Sequence, residues 1–263
     1  MPEGHTIHRL ARGLRRTLGA EPLRASSPQG RFADGAALLD GERILRTDAW
    51  GKYLFVETTG ALILHVHLGL IGKFRPVPTP PPPPRPTIRL RLENDETCWD
   101  LTGPTRCELV TPDERSAVVA ALGPDPLRRN AHPGTLHARF AATAKPVGAV
   151  LLDQTVIAGL GNVYRAELLF LCGIDPHRPA REVSPDEVDL LWSEAVRLLR
   201  IGLRYGAIIT TDPAEIGRSL GRMRPEDRLY VYHRDHCRRC GTALVTSEVG
   251  GRAIQHCPVH QPA

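Results

Sequence analysis

The chain has 263 residues, enough to bury a sizeable core in one or two domains of ordinary size. Its 34 basic and 29 acidic residues leave a net charge of +5 and a pI of about 9.1, a balance that favours a polyanionic partner over an acidic substrate. The opening MPEGHTIHRL lacks the apolar run of a secretory leader, and no stretch approaches the length of a membrane span, so a cytosolic protein without membrane attachment is expected.

Only Lys52, Lys73 and Lys145 are lysines, so nearly all the positive charge is guanidinium. Arginine forks onto phosphate in bidentate fashion, although codon bias in a GC-rich genome explains the same skew. In chain order, Ile7, Leu10, Ala11, Leu14 and Leu18 recur at helical spacing, with Arg9, Arg12, Arg15 and Arg16 between them, which predicts a helix starting almost at the first residue. From about Pro22 to Leu109 short strands follow at 42–50, 52–58, 61–68 and 87–94, the texture of an antiparallel β domain. Residues 76–86, PVPTPPPPPRP, cannot enter a sheet interior and read as a surface polyproline loop, either a spacer or a motif for another protein. Thr111-Pro112-Asp113-Glu114 is a capping box that opens a helical region, and Ser184-Pro185-Asp186-Glu187 repeats it. Helices are expected at 136–142, 147–156, 162–170 and 184–201, with the polar stretch 122–134 as a linker between halves.

Of six cysteines, Cys98, Cys107 and Cys172 are scattered and three cluster near the end. Cys237-Arg-Arg-Cys240 and Cys257-Pro-Val-His260 are two ligand pairs with two-residue gaps, the spacing of a tetrahedral, closed and therefore structural Zn2+ site. Disulfides beside a surface histidine are the alternative, and His233, His236 and His256 compete with His260 for the fourth place. The stretch between the pairs reads as a hairpin that presents Arg252 after Gly250-Gly251, either for phosphate or simply to solvent.

Proline after the initiator methionine permits removal of Met1, leaving a secondary amine at Pro2. An α-amino group titrates near roughly 8 against about 10.4 for lysine, so more of it is nucleophilic at neutral pH. Such an amine attacking C1′ of a deoxyribose expels the base and yields an iminium, and Glu3, if buried, is placed to serve as the acid. The plainer reading is that Pro2 and Glu3 merely begin a helix.

These features occur together with WGKYLFVE at 50–57, HLGLIGKF at 67–74, LGPDPL at 122–127 and LLDQTVIAGLGNVYRAELLF at 151–170. In this order the chain resembles, over nearly its whole length, the Fpg/Nei family of formamidopyrimidine-DNA glycosylases and endonuclease VIII enzymes. The resemblance implies an α+β fold: an N-terminal antiparallel β-sandwich with flanking helices, then a helical domain with a helix-two-turns-helix motif and a zinc-finger hairpin, with DNA between them. Domains are accordingly expected at 1–128, 129–229 and 230–263. It implies a monomer acting on damaged DNA in base excision repair, as a bifunctional glycosylase and abasic-site lyase. Pro2 then matches the nucleophile, Glu3 the acid, Lys52 a β-turn lysine that contacts DNA and aids catalysis, and Arg252 the zinc-finger arginine that grips phosphates. Asn162 matches an asparagine at a phosphate-binding helix start, or is an ordinary N-cap. Leu70, with Ile71, matches the wedge that fills the gap left by an extruded nucleotide, or is a core leucine.

Three departures from the formamidopyrimidine pattern stand out. The loop that probes the opposite base reads Asp100 to Cys107 without an aromatic, the N-terminus reads PEGH rather than PELP, and the last zinc ligand is histidine rather than cysteine. The first two favour oxidised pyrimidines and the endonuclease VIII branch. A purine-specific enzyme and a non-catalytic zinc-finger DNA-binding protein are the alternatives.

Overall fold

The computed structural model describes residues 2–263; the expected loss of Met1 concerns a residue outside that range. The chain divides into two compact units, Met1–Ala121 and Leu122–Ala263. Among the described residues no helix is long and apolar enough to cross a membrane.

The first unit opens with α1 (Gly4–Leu18), which buries Ile7, Ala11, Leu14 and Leu18 and exposes its arginines, as the spacing predicts. There follow β1 (Arg24–Ser26), α2 (Ala33–Leu39), β2 (Ile44–Trp50), β3 (Tyr53–Thr58), β4 (Ile63–His67), β5 (Lys73–Val77), β6 (Ile88–Glu93), β7 (Cys98–Thr102), β8 (Arg106–Val110) and α3 (Pro112–Ala120). Two antiparallel four-stranded sheets run β1-β6-β7-β5 and β2-β3-β4-β8. Leu54, Val56, Leu64 and Val66 of one sheet share a core with Leu90, Leu92, Trp99 and Leu101 of the other, and α1 adds its apolar stripe to it. Gly13 lets α1 approach closely, since a Cβ there would lie 2.9 Å from the Trp99 ring, whose indole donates to Thr17 Oγ1 at 3.0 Å. The outer face of β3 is covered too: Phe55 packs with Ile63, Val110 and Val118 and Val119 of α3. That is why Leu54, Phe55 and Val56 are all buried in succession.

In the second unit α6 (Asn162–Leu171) is central, every residue from Asn162 to Phe170 being buried. Around it lie α4 (Gly134–Ala141), α5 (Val147–Val150), α7 (Pro185–Tyr205) and the hairpin β9 (Val245–Val249) with β10 (Arg252–His256), and a short α8 (Pro213–Ile216) follows α7 in the chain. Both predicted capping boxes are present, at Thr111 with Glu114 and at Ser184 with Glu187.

Several expectations need correction. The β region contains a helix, α2, whose seven residues are too few to declare a periodicity. Pro76 and Val77 belong to β5, which is tolerated because β5 is an edge strand. The helix expected over 147–156 ends at Val150, and residues beyond it turn back so that Gln154 Nε2 donates to the Leu160 carbonyl at 3.0 Å. The helix expected to end at Ile201 continues to Tyr205, where Gly206 in the left-handed region closes it. The presumed linker is docked at its start: Gly123 N donates to Gln154 O at 2.9 Å, the Pro124 carbonyl accepts from Ala158 N at 3.0 Å, and Asp125 is buried.

Candidate active site and metal centre

Within the first unit, Pro2 is half-buried and Glu3 is fully buried. Glu3 is the N-cap of α1 with extended backbone, and its carbonyl accepts from Thr6 N at 2.8 Å, so the helix begins immediately behind the carboxyl. His5 is buried beside it; desolvation, helped by the positive charges of Arg9 and His8, pushes its imidazole down to about 4.

Lys52 is half-buried in the two-residue loop Gly51–Lys52 that joins β2 to β3, closed by the pair Trp50–Tyr53. Gly51 has φ +56°, the first loop position at which a tight hairpin turn of this kind favours glycine. His67 on β4 pairs with Tyr53 in register and packs on its ring at 4.9 Å. Burial first, and then the charge of Lys52, push His67 down to about 4. The lysine therefore has a neutral imidazole as its neighbour.

After β4 the chain turns sharply through Leu68 to Gly72, Gly72 N donating to Leu68 O at 3.1 Å. A Cβ at Gly72 would lie 2.2 Å from that carbonyl. Leu70 and Ile71 sit on the outside of this turn at 57% and 79% exposure, which rules out the core-leucine reading of Leu70. The turn at 103–105 lies against it: a Cβ on Gly69 would meet Thr105 at 2.5 Å, and Thr105 Oγ1 is 2.8 Å from His67 Nδ1. The stretch from Asp100 to Cys107 is thus two strand ends joined by a short turn, rather than a long loop, and it brings no aromatic to the tip.

In the second unit, Asn162 is the first residue of α6 but not its cap; Gly161 holds that place. Its side chain instead donates from Nδ2 to the Ala253 carbonyl at 3.0 Å and accepts from Arg165 through Oδ1. The ordinary N-cap reading of Asn162 is therefore set aside. Gly250 and Gly251, at φ +64° and +71°, form the hairpin turn that presents the half-buried Arg252, in register opposite Val249.

Two residues that sequence reasoning passed over organise this region. Arg165 is fully buried and donates to the carbonyls of Gly148 at 3.2 Å, Val249 at 2.6 Å, Arg252 at 3.3 Å and Ala253 at 3.2 Å. Glu167, equally buried, accepts from the backbone N–H of Tyr230, Val231 and Tyr232 at 2.8 to 2.9 Å and from the Thr210 hydroxyl. The signal was available: two opposite charges inside an otherwise apolar ten-residue helix have to be paired internally.

Beyond Tyr232 the chain reaches Cys237, and Cys237, Cys240, Cys257 and His260 place one ligand atom each within 4.8 Å of one another. Cys240 Sγ lies 3.6 Å from Cys257 Sγ, and His260 Nδ1 lies 3.4 Å from Cys257 Sγ and 3.9 Å from Cys237 Sγ. Among the described residues this is the one cluster able to hold a metal ion; the competing His256 packs on His177 instead. Gln261 docks the segment by donating to the Ile174 carbonyl and accepting from Cys257 N.

Comparison with known proteins agrees with this architecture. The family model for the formamidopyrimidine-DNA glycosylase N-terminal domain matches residues 1–114, and that for the formamidopyrimidine-DNA glycosylase H2TH domain matches residues 122–214. The chain belongs to the family of formamidopyrimidine-DNA glycosylases and endonuclease 8 enzymes, and is thus a DNA glycosylase with abasic-site lyase activity. "Endonuclease 8 1" of Mycobacterium tuberculosis (strain ATCC 25618 / H37Rv) is 47% identical over 99% of this chain and 100% of its own length. The formamidopyrimidine-DNA glycosylase of Carboxydothermus hydrogenoformans is 30% identical over 83% of this chain and 81% of its own. In fold, the chain is similar to Lactococcus lactis Fpg (MutM) in complex with N7-benzyl-Fapy-dG DNA, with a TM-score of 0.83, 23% identity and complete coverage of both chains. It is also similar to the MutM (Fpg) protein of Thermus thermophilus, with a TM-score of 0.79 and 28% identity over 99% of this chain and 98% of the other.

Proposed function

We propose that this enzyme excises oxidised pyrimidines from DNA and nicks the resulting abasic site through a covalent intermediate at Pro2. The observation that carries the reading is the wholly buried carboxyl of Glu3 adjoining Pro2 at the head of α1. With Met1 removed, the Pro2 nitrogen attacks C1′ as the C1′–base bond breaks, and Glu3 supplies a proton to the opening sugar ring. The nitrogen's proton passes to the departing base, its lone pair then breaks the C1′–O4′ bond as O4′ takes the Glu3 proton, and the resulting iminium acidifies C2′; removal of a C2′ proton expels the 3′ phosphate. Lys52 acts as a DNA contact that assists this chemistry.

The exposed Leu70 and Ile71 are the wedge that replaces the extruded nucleotide. Arg252 holds a flanking phosphate through its side chain, and Asn162, whose side chain is engaged with Ala253 and Arg165, through the backbone N–H groups at the start of α6. Preference for pyrimidines is supported by the absence of an aromatic at the 103–105 turn and by 47% identity to an endonuclease 8 against 30% to a formamidopyrimidine-DNA glycosylase.

Zn2+ suits the Cys237, Cys240, Cys257 and His260 cluster. A tetrahedral ion with metal–sulfur bonds of about 2.3 Å needs sulfurs about 3.8 Å apart, close to the 3.6 Å between Cys240 and Cys257. The ion would fix the hairpin that carries Arg252 and take no part in the reaction, since four protein ligands close its coordination. We read three functional divisions, a catalytic β-sandwich, a helical DNA-binding region and a zinc finger from 230, with the first boundary moved from 128 to 121 because residues 123–125 pack into the second unit, and we read the enzyme as a cytosolic monomer.

Borohydride trapping on abasic DNA tests the central claim. Protein with a free Pro2 should be trapped, and protein with a retained Met1 or an N-terminal extension should not. Equal trapping of the blocked protein would move the nucleophile elsewhere, first of all to Lys52.

A further inference from the structure

We propose that the groove between α1 and β2 is a second binding track for the phosphodiester backbone of nucleic acid, separate from the residues assigned to the lesion. This rests on the reading of the chain as a DNA-acting enzyme and adds a surface to it. The groove has a volume of about 420 Å³ and is lined on one side by His8, Ala11, Arg12, Arg15 and Arg16, and on the other by Thr47, Asp48 and Ala49.

Its charge is positive and available. Arg12 and Arg16 are exposed and have no hydrogen-bond or ion-pair partner among the described residues. Arg15 is braced across the groove by donation to the Ile44 carbonyl at 2.6 Å, which holds α1 and β2 at a fixed separation. The acid among the lining residues, Asp48, is already engaged by Arg115 at 2.8 Å, so it does not neutralise the arginines facing it. Arg46, 58% exposed, stands beside Asp48 at 3.9 Å and adds a further cation from β2. No acidic residue occurs within α1.

Helix energetics do not account for this pattern. Arg15 and Arg16 in the last turn complement the C-terminal end of the helix dipole, but Arg12 lies mid-helix and gains nothing from it. Among the lining residues Arg12 and Arg16 follow i, i+4 and so share one face, forming a short row over about 6 Å of helix. A duplex carries one negative charge per about 1.7 Å of axis, so a row of this length matches a run of phosphates better than a single anion. A free phosphate would instead call for guanidiniums converging on one point. The row begins at Arg12, about 14 Å along the helix from Glu3, so the backbone it engages is not that of the reacting nucleotide.

The test is salt-dependent binding of undamaged duplex, read by fluorescence anisotropy, for the wild type, Arg12→Ala/Arg16→Ala and Arg12→Lys/Arg16→Lys. The alanine pair should lower the slope of log affinity against log salt by about two and weaken binding at low salt about tenfold, while the lysine pair keeps the wild-type slope. Far-UV circular dichroism checks that α1 persists; should the alanine pair lose it, Arg12→Gln alone, expected to lower the slope by about one, reads the same quantity. A wild-type slope in the alanine pair overturns the proposal. So does inorganic tripolyphosphate that binds the wild type but not the alanine pair while duplex affinity is unchanged, since that would assign the groove to a small polyanion. Trapping of wild-type protein at Pro2 does not depend on these variants, so a failure of the catalytic reading would be seen separately.

Discussion

Arg165 donates from Nη1 to the Val249 carbonyl at 2.6 Å, joining α6 to a strand 84 residues further along the chain. The same guanidinium reaches Gly148, Arg252 and Ala253 as well as Asn162, so the base of the hairpin turn and the start of α6 are set by one buried cation. Arg165→Met should leave several buried carbonyls unpaired and cost about 3 kcal/mol or more of stability. Arg165→Lys should not restore it, because one ammonium cannot fan out to acceptors on both sides. Urea unfolding of both variants is the check, and a wild-type midpoint in either would contradict this role.

Glu3→Gln should reduce base excision by about 10² to 10⁴-fold, the range ordinary for a lost general acid, with little change in affinity for lesion DNA. Single-turnover excision and equilibrium binding measured side by side would separate the two. A variant that loses binding and rate equally would assign Glu3 to the fold of the α1 start rather than to the chemistry.

Removal of the metal should unfasten the hairpin. Cys257→Ser, or exhaustive chelation, should abolish the one equivalent of zinc expected by metal analysis and weaken DNA binding with it. His260→Ala should do the same, given the 3.4 and 3.9 Å separations of its Nδ1 from Cys257 and Cys237. Full zinc content in His260→Ala would transfer the fourth place to another group.

Arg252→Ala should weaken binding with little dependence on sequence and flatten the salt dependence by about one unit per lost phosphate contact. Because Arg165 addresses the backbone of residue 252 and not its side chain, the fold and the zinc content should survive. Unchanged affinity and excision would reduce Arg252 to a solvated residue.

The two depressed histidines give stability a defined pH dependence. His5 and His67, each pushed down to about 4 chiefly by burial, stay neutral in the folded state where an unfolded histidine is already taking up a proton. Between about 6.5 and about 4 the unfolded chain binds more protons, so their contribution to stability falls as pH falls through that window and levels off below it. Imidazole resonances followed by NMR should show neither ring titrating at pH 5.5. Protonation of either near 6.5 would remove its share.

What the sequence determined by itself is local. The capping boxes at Thr111 and Ser184 close within three residues, the apolar stripe of α1 repeats within one turn, and the paired ligand gaps of Cys237–Cys240 and Cys257–His260 are fixed by the reach of a tetrahedral ion. Such patterns are legible because their partners lie within a few residues or follow from one fixed geometry. The tertiary structure alone decided that the helix after Pro146 stops at Val150, that the start of the supposed linker packs into the second unit, that Leu70 is exposed, and that Asn162 holds a strand instead of capping its helix. It also decided the roles of Arg165 and Glu167, which periodicity could not assign because α6 is buried on all sides and so has no polar face to read. A buried charge takes its partners from whatever backbone the fold brings to it, and here those carbonyls and N–H groups lie mostly 60 to 90 residues away in the chain.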